Sequence, residues 1–288
     1  MADGTQPPNQ PPQTPPLLRD PSTALFTGYR PFPPLMTVHS NLTNGLLQAL
    51  TTHKLCAGTT PDDMLYLVEV HFGYTPRGPL HFGRGFYLRN GTRFQDPILA
   101  AVGEVFRLPL LVSLFDPRTS VLLPPGDGER NPGNKIEEIL EATVRRDQGV
   151  IFSFGVETGE KKVGREEFEW RKLKEKGEAT TEKGSQYRLY YSDRSRPRGL
   201  MSSQPSSSAQ PPVVDIDDED EEVLAELRFN SLFSFTQMFT LELKGAGQTG
   251  ELGDRWTLMV VMTALGIHWL RQNGKTHRAT VKVAEKFL

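Results

Sequence analysis

Trp256–Leu270, WTLMVVMTALGIHWL, is helical in length and apolar on nearly every face. It falls short of the roughly 20 apolar residues that a bilayer-spanning helix requires. A helix that is hydrophobic all round and not in lipid must be buried in protein. The sequence before it reads mostly as short alternating strands. One dry helix after many strands predicts a mostly β fold: a closed or strongly curved antiparallel β-barrel around a central hydrophobic C-terminal helix.

Working outward from the helix, Gly245–Gly253 reads as a glycine-rich turn, and Asp254 is placed to cap the helix start. Val223–Phe229 (VLAELRF) and Met238–Leu243 (MFTLEL) read as strands. So do Val150–Glu157, Glu166–Leu173 with Phe168 and Trp170 on one face, and Gln186–Ser192 with Tyr187, Leu189 and Tyr191 on one face. The charge-rich Lys174–Lys183 is expected as a hairpin loop. Met64–Phe72 alternates, with Tyr66, Val68 and Val70 together. Phe86–Phe94 carries Asn90-Gly91, the strongest signal for a two-residue hairpin, because both turn positions need positive φ. Pro97–Val105 and Leu108–Phe115 are short apolar runs, and Pro124–Gly133 is a loop by composition. Asn134–Arg146 is predicted helical: Asn134 with Glu137 resembles a reciprocal cap, and Ile136, Ile139, Leu140 and Thr143 share a helical face. Thr280–Leu288 reads as a last strand or a frayed tail.

Two segments lack the apolar content to fold. Residues 1–24 are polar and proline-rich, suited to polyproline II, and are expected to be a solvated tail. Asp193–Glu222 runs basic, then Ser/Pro/Gln, then acidic, and is expected to be a disordered insertion. Residues 25–288 are then a single domain with this insertion looped out. The formal net charge of −2 supplies no bulk field for nucleic acid, so an electrostatic partner must meet a local patch. A single cysteine, Cys56, excludes an intramolecular disulfide. The first residues have neither a basic n-region nor an apolar h-region, so secretion is not expected, and the triplets Asn41-Leu42-Thr43 and Asn90-Gly91-Thr92 read as chance matches to a glycosylation site. The expected compartment is cytoplasmic, peripheral at a membrane or nuclear.

The motifs FEWRKL at Phe168–Leu173, the pair VLAELRF and MFTLEL, and GELGDRWTLMVVMTALGIHWL at Gly250–Leu270 resemble the tubby C-terminal-like superfold, which includes tubby-like proteins, plant LURP-one-related proteins and phospholipid scramblases. TPDDMLYLVEVHFG and FYLRNGTRFQDPILAAVGE look like the front strands of the fungal members. The resemblance covers roughly residues 25–283. It implies a closed barrel of about a dozen antiparallel strands around a hydrophobic helix, and a non-enzymatic binding or adaptor role toward an anionic membrane lipid of phosphoinositide type. The predicted helix at Asn134–Arg146 and the long insertion depart from that pattern, as does the missing C-terminal signature of the tubby proteins.

Basic residues are the best candidates for such a ligand. Lys161, Lys162, Arg165, Arg171, Lys172 and Lys174 cluster around one predicted hairpin, and Arg271 and Lys275 follow the central helix. Lys/Arg patches of this kind bind anionic headgroups, although Glu166, Glu167, Glu169 and Glu175 are interspersed among them. The alternative is a protein-interaction scaffold that docks through an acidic linker motif and the proline-rich tail. Val213, Val214 and Ile216, followed by Asp217 and Asp218, resemble a SUMO-interacting motif, in which an apolar segment adds a strand to a partner sheet and trailing acids meet basic residues. The six histidines show no paired metal-ligand spacing, though His71 and His81 flank a turn; no metal or cofactor is expected. His268, inside the apolar helix, is expected to be a hydrogen-bonded core residue. Cys56 lacks a basic neighbourhood and is expected to be inert. Gly245-Ala246-Gly247 with Gly250 lacks the Lys-Ser/Thr pair of a phosphate loop. No nucleophile elbow, dinucleotide fingerprint or zinc-protease motif is present, so no enzyme is expected. A membrane-inserted, scramblase-like role is disfavoured by Thr263, Gly266 and His268 within a short helix.

Overall fold

In the computed structural model the described residues are 28–41, 50–73, 78–81, 83–104, 116–125, 136–159, 164–173, 184–192, 221–230 and 236–287. The alternating runs form strands β1 (Leu35–Ser40), β2 (Thr52–Ala57), β3 (Met64–His71), β4 (Gly85–Arg89), β5 (Ile98–Glu104), β6 (Thr119–Leu123), β7 (Ile136–Arg145), β8 (Gly149–Thr158), β9 (Gly164–Lys172), β10 (Gln186–Tyr191), β11 (Ala225–Phe229) and β12 (Gln237–Leu243). Each pairs antiparallel with its neighbours in sequence, and β1 closes on β12, so the sheet is an up-and-down barrel with no free edge. Helices α1 (Gly245–Thr249), α2 (Gly253–Gln272) and α3 (Arg278–Phe287) follow.

Barrel width grows with strand number; eight strands leave an interior that side chains alone fill. Twelve leave room for a helix, which with its side chains is about 10 Å across. α2 occupies that space, and every residue from Trp256 to Leu270 is buried. Inward side chains of the strands, among them Tyr66, Phe86, Phe152, Trp170, Leu227 and Phe239, form one core with it. The two polar side chains that meet inside are matched: Trp170 Nε1 donates to Thr263 Oγ1 at 3.0 Å, and the Thr263 hydroxyl donates to the Val260 carbonyl at 2.9 Å. The outward residues of the same strands carry charge, as Glu137 and Glu141 on β7, Arg188 on β10 and Arg228 on β11 do. That is the reverse of an outer-membrane barrel, which turns apolar residues outward. No described helix is long and apolar enough to cross a membrane.

α2 lies close against the wall at Gly266, where an added Cβ would lie 3.1 Å from both Leu140 Cδ2 and Val102 Cγ2. Gly266→Val is therefore expected to overpack the core and cost about 1–3 kcal/mol, read as a lower denaturant midpoint at unchanged slope. An unchanged midpoint would mean that the helix can shift within the barrel.

Several sequence expectations need correction. Asn134–Arg146 is not a helix: residues Ile136–Arg145 are strand β7, paired with β6 and β8. Its buried Glu138, Leu140 and Ala142 alternate with exposed Glu137, Ile139 and Glu141, so period two wins once two strands flank it. Asn90-Gly91 does not close a two-residue hairpin; β4 returns as β5 only at Ile98. Here Asp96 accepts from the Arg93 N–H at 2.8 Å and Arg89 donates to the Asp96 carbonyl at 3.1 Å, organising a longer loop. The turn at Gly245–Gly253 contains the one-turn helix α1. Asp254 does not cap α2; Leu252 holds that position with no side-chain cap bond, and Asp254 lies in the first turn. Thr280–Leu288 is neither strand nor frayed tail in its described part but belongs to α3, which buries Val281 and Ala284 at helical spacing against β7 and β8. Glu221 and Glu222 belong to the folded domain, and both are hydrogen-bonded. The proline-rich tail, Leu108–Phe115, most of Pro124–Gly133, Lys174–Lys183 and insertion residues 193–220 lie outside the described residues.

Candidate functional site

The antiparallel meander gives the barrel two mouths. α2 begins at the N-mouth, where the Gly159 N–H donates to the Leu252 carbonyl at 3.1 Å. It ends at the C-mouth, where Phe86 meets Trp269 and Phe229 meets His268. The register assigns His71, Gly85, Glu104, Lys172, Gln186 and Phe229 to the C-mouth.

This geometry takes apart the basic cluster read from sequence. Arg165 and Lys172 stand near opposite ends of β9, roughly 23 Å apart at the ~3.3 Å rise of a strand. Arg165 is committed to Glu138, with Nη2–Oε2 at 2.6 Å and Nη1–Oε1 at 2.8 Å, and this bidentate bond raises its pKa. Arg171 is buried. Burial alone would lower its pKa, but the bonds to Glu169 and Glu221 outweigh that and raise it. Arg171 Nε donates to Glu169 Oε1 at 2.6 Å, and its guanidinium lies 4.7 Å from the Tyr190 ring centroid. Lys275 is buried against Glu104, with Nζ–Oε1 at 3.0 Å; Arg84 binds the same carboxylate. Lys172 is exposed. Lys161, Lys162 and Lys174 lie outside the described residues, as do Val213, Val214, Ile216, Asp217 and Asp218.

Arg271 differs from its peers. Among the described arginines that are at least partly withdrawn from solvent, Arg84, Arg89, Arg118, Arg145, Arg171, Arg188 and Arg255 each face a carboxylate within 3.3 Å. Arg271 faces none. Its guanidinium sits over the Phe229 ring, 4.1 Å from the centroid, at the C-terminal end of α2. Burial lowers its pKa. The ring face and the negative end of the helix dipole make this cation tolerable, and it is left with capacity for an anion at the C-mouth.

One turn earlier on α2, His268 corrects a second expectation. It is in the core, but neither ring nitrogen has a hydrogen-bond partner among the described residues. Instead the imidazole lies among Phe86, Phe229 and Phe239, with centroids at 6.1, 5.9 and 5.7 Å. His53 packs edge-on to Phe86, 5.9 Å away, with its Nδ1 also unpartnered. Desolvation pushes His268 down to about 3 and His53 down to about 4, so both are neutral rings at pH 7.

The other candidates resolve into structural roles. His71 Nε2 lies 2.9 Å from the His81 backbone carbonyl, so that nitrogen is engaged by the backbone. No group of three metal-ligating side chains gathers among the described residues. Cys56 is buried, its Sγ 3.6 Å from the Pro61 carbonyl, and desolvation pushes the thiol up to about 11. At the glycine-rich segment the Ala246 N–H donates to Glu222 Oε1 at 2.8 Å, so a carboxylate of the chain itself occupies that position. Glu104, Glu138 and Glu169, which neutralise the basic candidates, were not singled out as their partners by sequence reasoning. Glu138 and Glu104 lie on other strands, where only the fold brings them into contact, while Glu169 lies two residues before Arg171 on β9. No protein-family model matches the chain, and no curated protein or solved structure matches it.

Proposed function

We propose that the chain is a non-enzymatic, cytosolic binding module of tubby-like type that engages an anionic lipid headgroup, of phosphoinositide class, at the C-mouth. Arg271 is the principal contact and Lys172 lies on the same rim. The observation that carries this reading is the half-buried Arg271 guanidinium, which among the described residues lacks the carboxylate its peers have. An ionised group withdrawn from water without a counter-charge is costly, and an arriving phosphate supplies one in the planar geometry that guanidinium favours. The resemblance supplies the phosphoinositide class. The filled barrel supports the non-enzymatic part, because α2 occupies the interior where a substrate would otherwise sit.

Flotation with phosphoinositide-containing vesicles, against neutral vesicles, tests this. Wild type is expected to float only with the anionic vesicles and to lose binding at high salt. Arg271→Gln should weaken binding about fivefold or more, given the ~1 kcal/mol that one basic side chain supplies near an anionic surface. Arg165→Gln, whose partner is Glu138, should leave binding unchanged. Wild type that floats with neither vesicle would overturn the lipid reading and shift the search to docking through Val213–Asp218.

A further inference from the structure

Leu50 and Phe72 are the most exposed large apolar side chains described, at 61% and 53%. Leu50 stands just before β2 and Phe72 just after β3. The register pairs Thr52 with Glu69, so the two side chains project from adjacent strand ends at the C-mouth. The other exposed apolar side chains lie on other elements: Phe94 in the β4–β5 loop at the N-mouth, Ile139 on β7 and Val283 on α3. Charge is mixed at both mouths but leans opposite ways. The N-mouth exposes Asp62, Asp63, Glu251 and Asp254 beside Arg30 and Arg93, and the C-mouth exposes Lys172 and Arg146 beside Asp147. At the C-mouth Arg271 and Lys172 have no carboxylate among the described residues, and Arg84 and Lys275 both bind Glu104. Two exposed apolar side chains at a mouth where cations outnumber acids, with acids outnumbering cations at the far end, fit an anionic bilayer surface, whose headgroups attract the cations while its acyl boundary accepts the apolar side chains.

Building on the lipid reading above, we infer that the barrel stands on an anionic bilayer by its C-mouth, with Leu50 and Phe72 entering the headgroup–acyl boundary while Arg271 and Lys172 meet phosphates. The N-mouth, from which the insertion between β10 and β11 departs, then faces away from the membrane.

The test uses the full chain. Phe72→Trp places a reporter at the C-mouth and Phe94→Trp one at the N-mouth, against a background of three native tryptophans. On phosphoinositide vesicles the emission of Phe72→Trp should shift to the blue and be quenched by lipids brominated near the top of the acyl chain; that of Phe94→Trp should do neither. The double variant Leu50→Ser, Phe72→Ser should bind vesicles about tenfold or more weakly, the loss expected for two exposed apolar side chains that no longer insert. It should bind a soluble inositol bisphosphate as wild type does, measured by calorimetry. Unchanged Phe72→Trp emission on vesicles that the protein does bind would overturn the insertion and leave the headgroup reading standing. Absence of both vesicle and soluble-headgroup binding would overturn both.

Discussion

Acidification from pH 6.5 to about 3 is expected to unfold this barrel from the inside, with His268 as the dominant cause. The folded pKa of His268 is pushed down to about 3 and that of His53 to about 4, against an ordinary 6.5. Over this window the unfolded chain binds more protons than the fold, so stability rises with pH and falls on acidification. The contribution is complete above pH 6.5 and is lost as pH drops through the folded values. At ~1.4 kcal/mol per pH unit for each histidine, the pair represents several kcal/mol, comparable to the 5–15 kcal/mol that holds a typical domain. The groups facing His268 are the rings of Phe86, Phe229 and Phe239, with His53 and Arg271 as the charged or chargeable neighbours. None supplies an anion that would stabilise an imidazolium. His268→Phe, an aromatic replacement among aromatic neighbours, should therefore flatten the decline between pH 6.5 and 4, where carboxylates are still ionised. Urea denaturation across this range checks it; an equally steep decline in the variant would place the acid sensitivity elsewhere.

The second large effect is expected at Glu169. This carboxylate is fully buried on the wall of β9, accepting from Arg145 Nη1 at 3.1 Å and Nη2 at 2.8 Å and from Arg171 Nε at 2.6 Å. Arg171 continues to Glu221, which ties the start of the segment leading into β11 to the barrel. Glu169→Gln removes the charge that separates two guanidinium groups and leaves Arg171 buried without the Glu169 carboxylate. Breaking a buried ion pair from one side costs roughly 3–5 kcal/mol. The exposed Glu251→Gln should stay within about 0.5 kcal/mol of wild type. A Glu169→Gln midpoint equal to that of Glu251→Gln would show that hydration, not Glu169, satisfies the two arginines.

Much of the barrel was legible because its signals are unambiguous locally. Trp256–Leu270 admits no surface position, so it had to be enclosed. Phe168 with Trp170, and Tyr187 with Leu189, alternate cleanly and proved to be inward pairs. β7 was not legible, because Ile136, Ile139 and Leu140 suit a helical face as well as they suit a strand, and only pairing to β6 and β8 chooses between them. The Asn90-Gly91 signal lost to side-chain bonds of Asp96 and Arg89 that no local pattern announces. The candidate site was legible as a list of cations but not as an arrangement. Which cation is free depends on Glu138, Glu169 and Glu104, and on strand ends that lie far apart in space though close in sequence. Arg271 stood in the list beside Lys275, yet only the folded chain gives Lys275 a carboxylate and gives Arg271 a phenyl ring.

The most direct measurement is a titration of the isotope-labelled full chain with soluble inositol bisphosphate, followed by NMR at the arginine Nε–H groups and the tryptophan indoles. Binding at the C-mouth should move the Arg271 Nε–H and the Trp269 indole N–H, which has no partner among the described residues, while the Arg165 Nε–H stays in place. Shifts confined to the N-mouth or to Val213–Asp218, or no shifts at saturating headgroup, would contradict a C-mouth headgroup site.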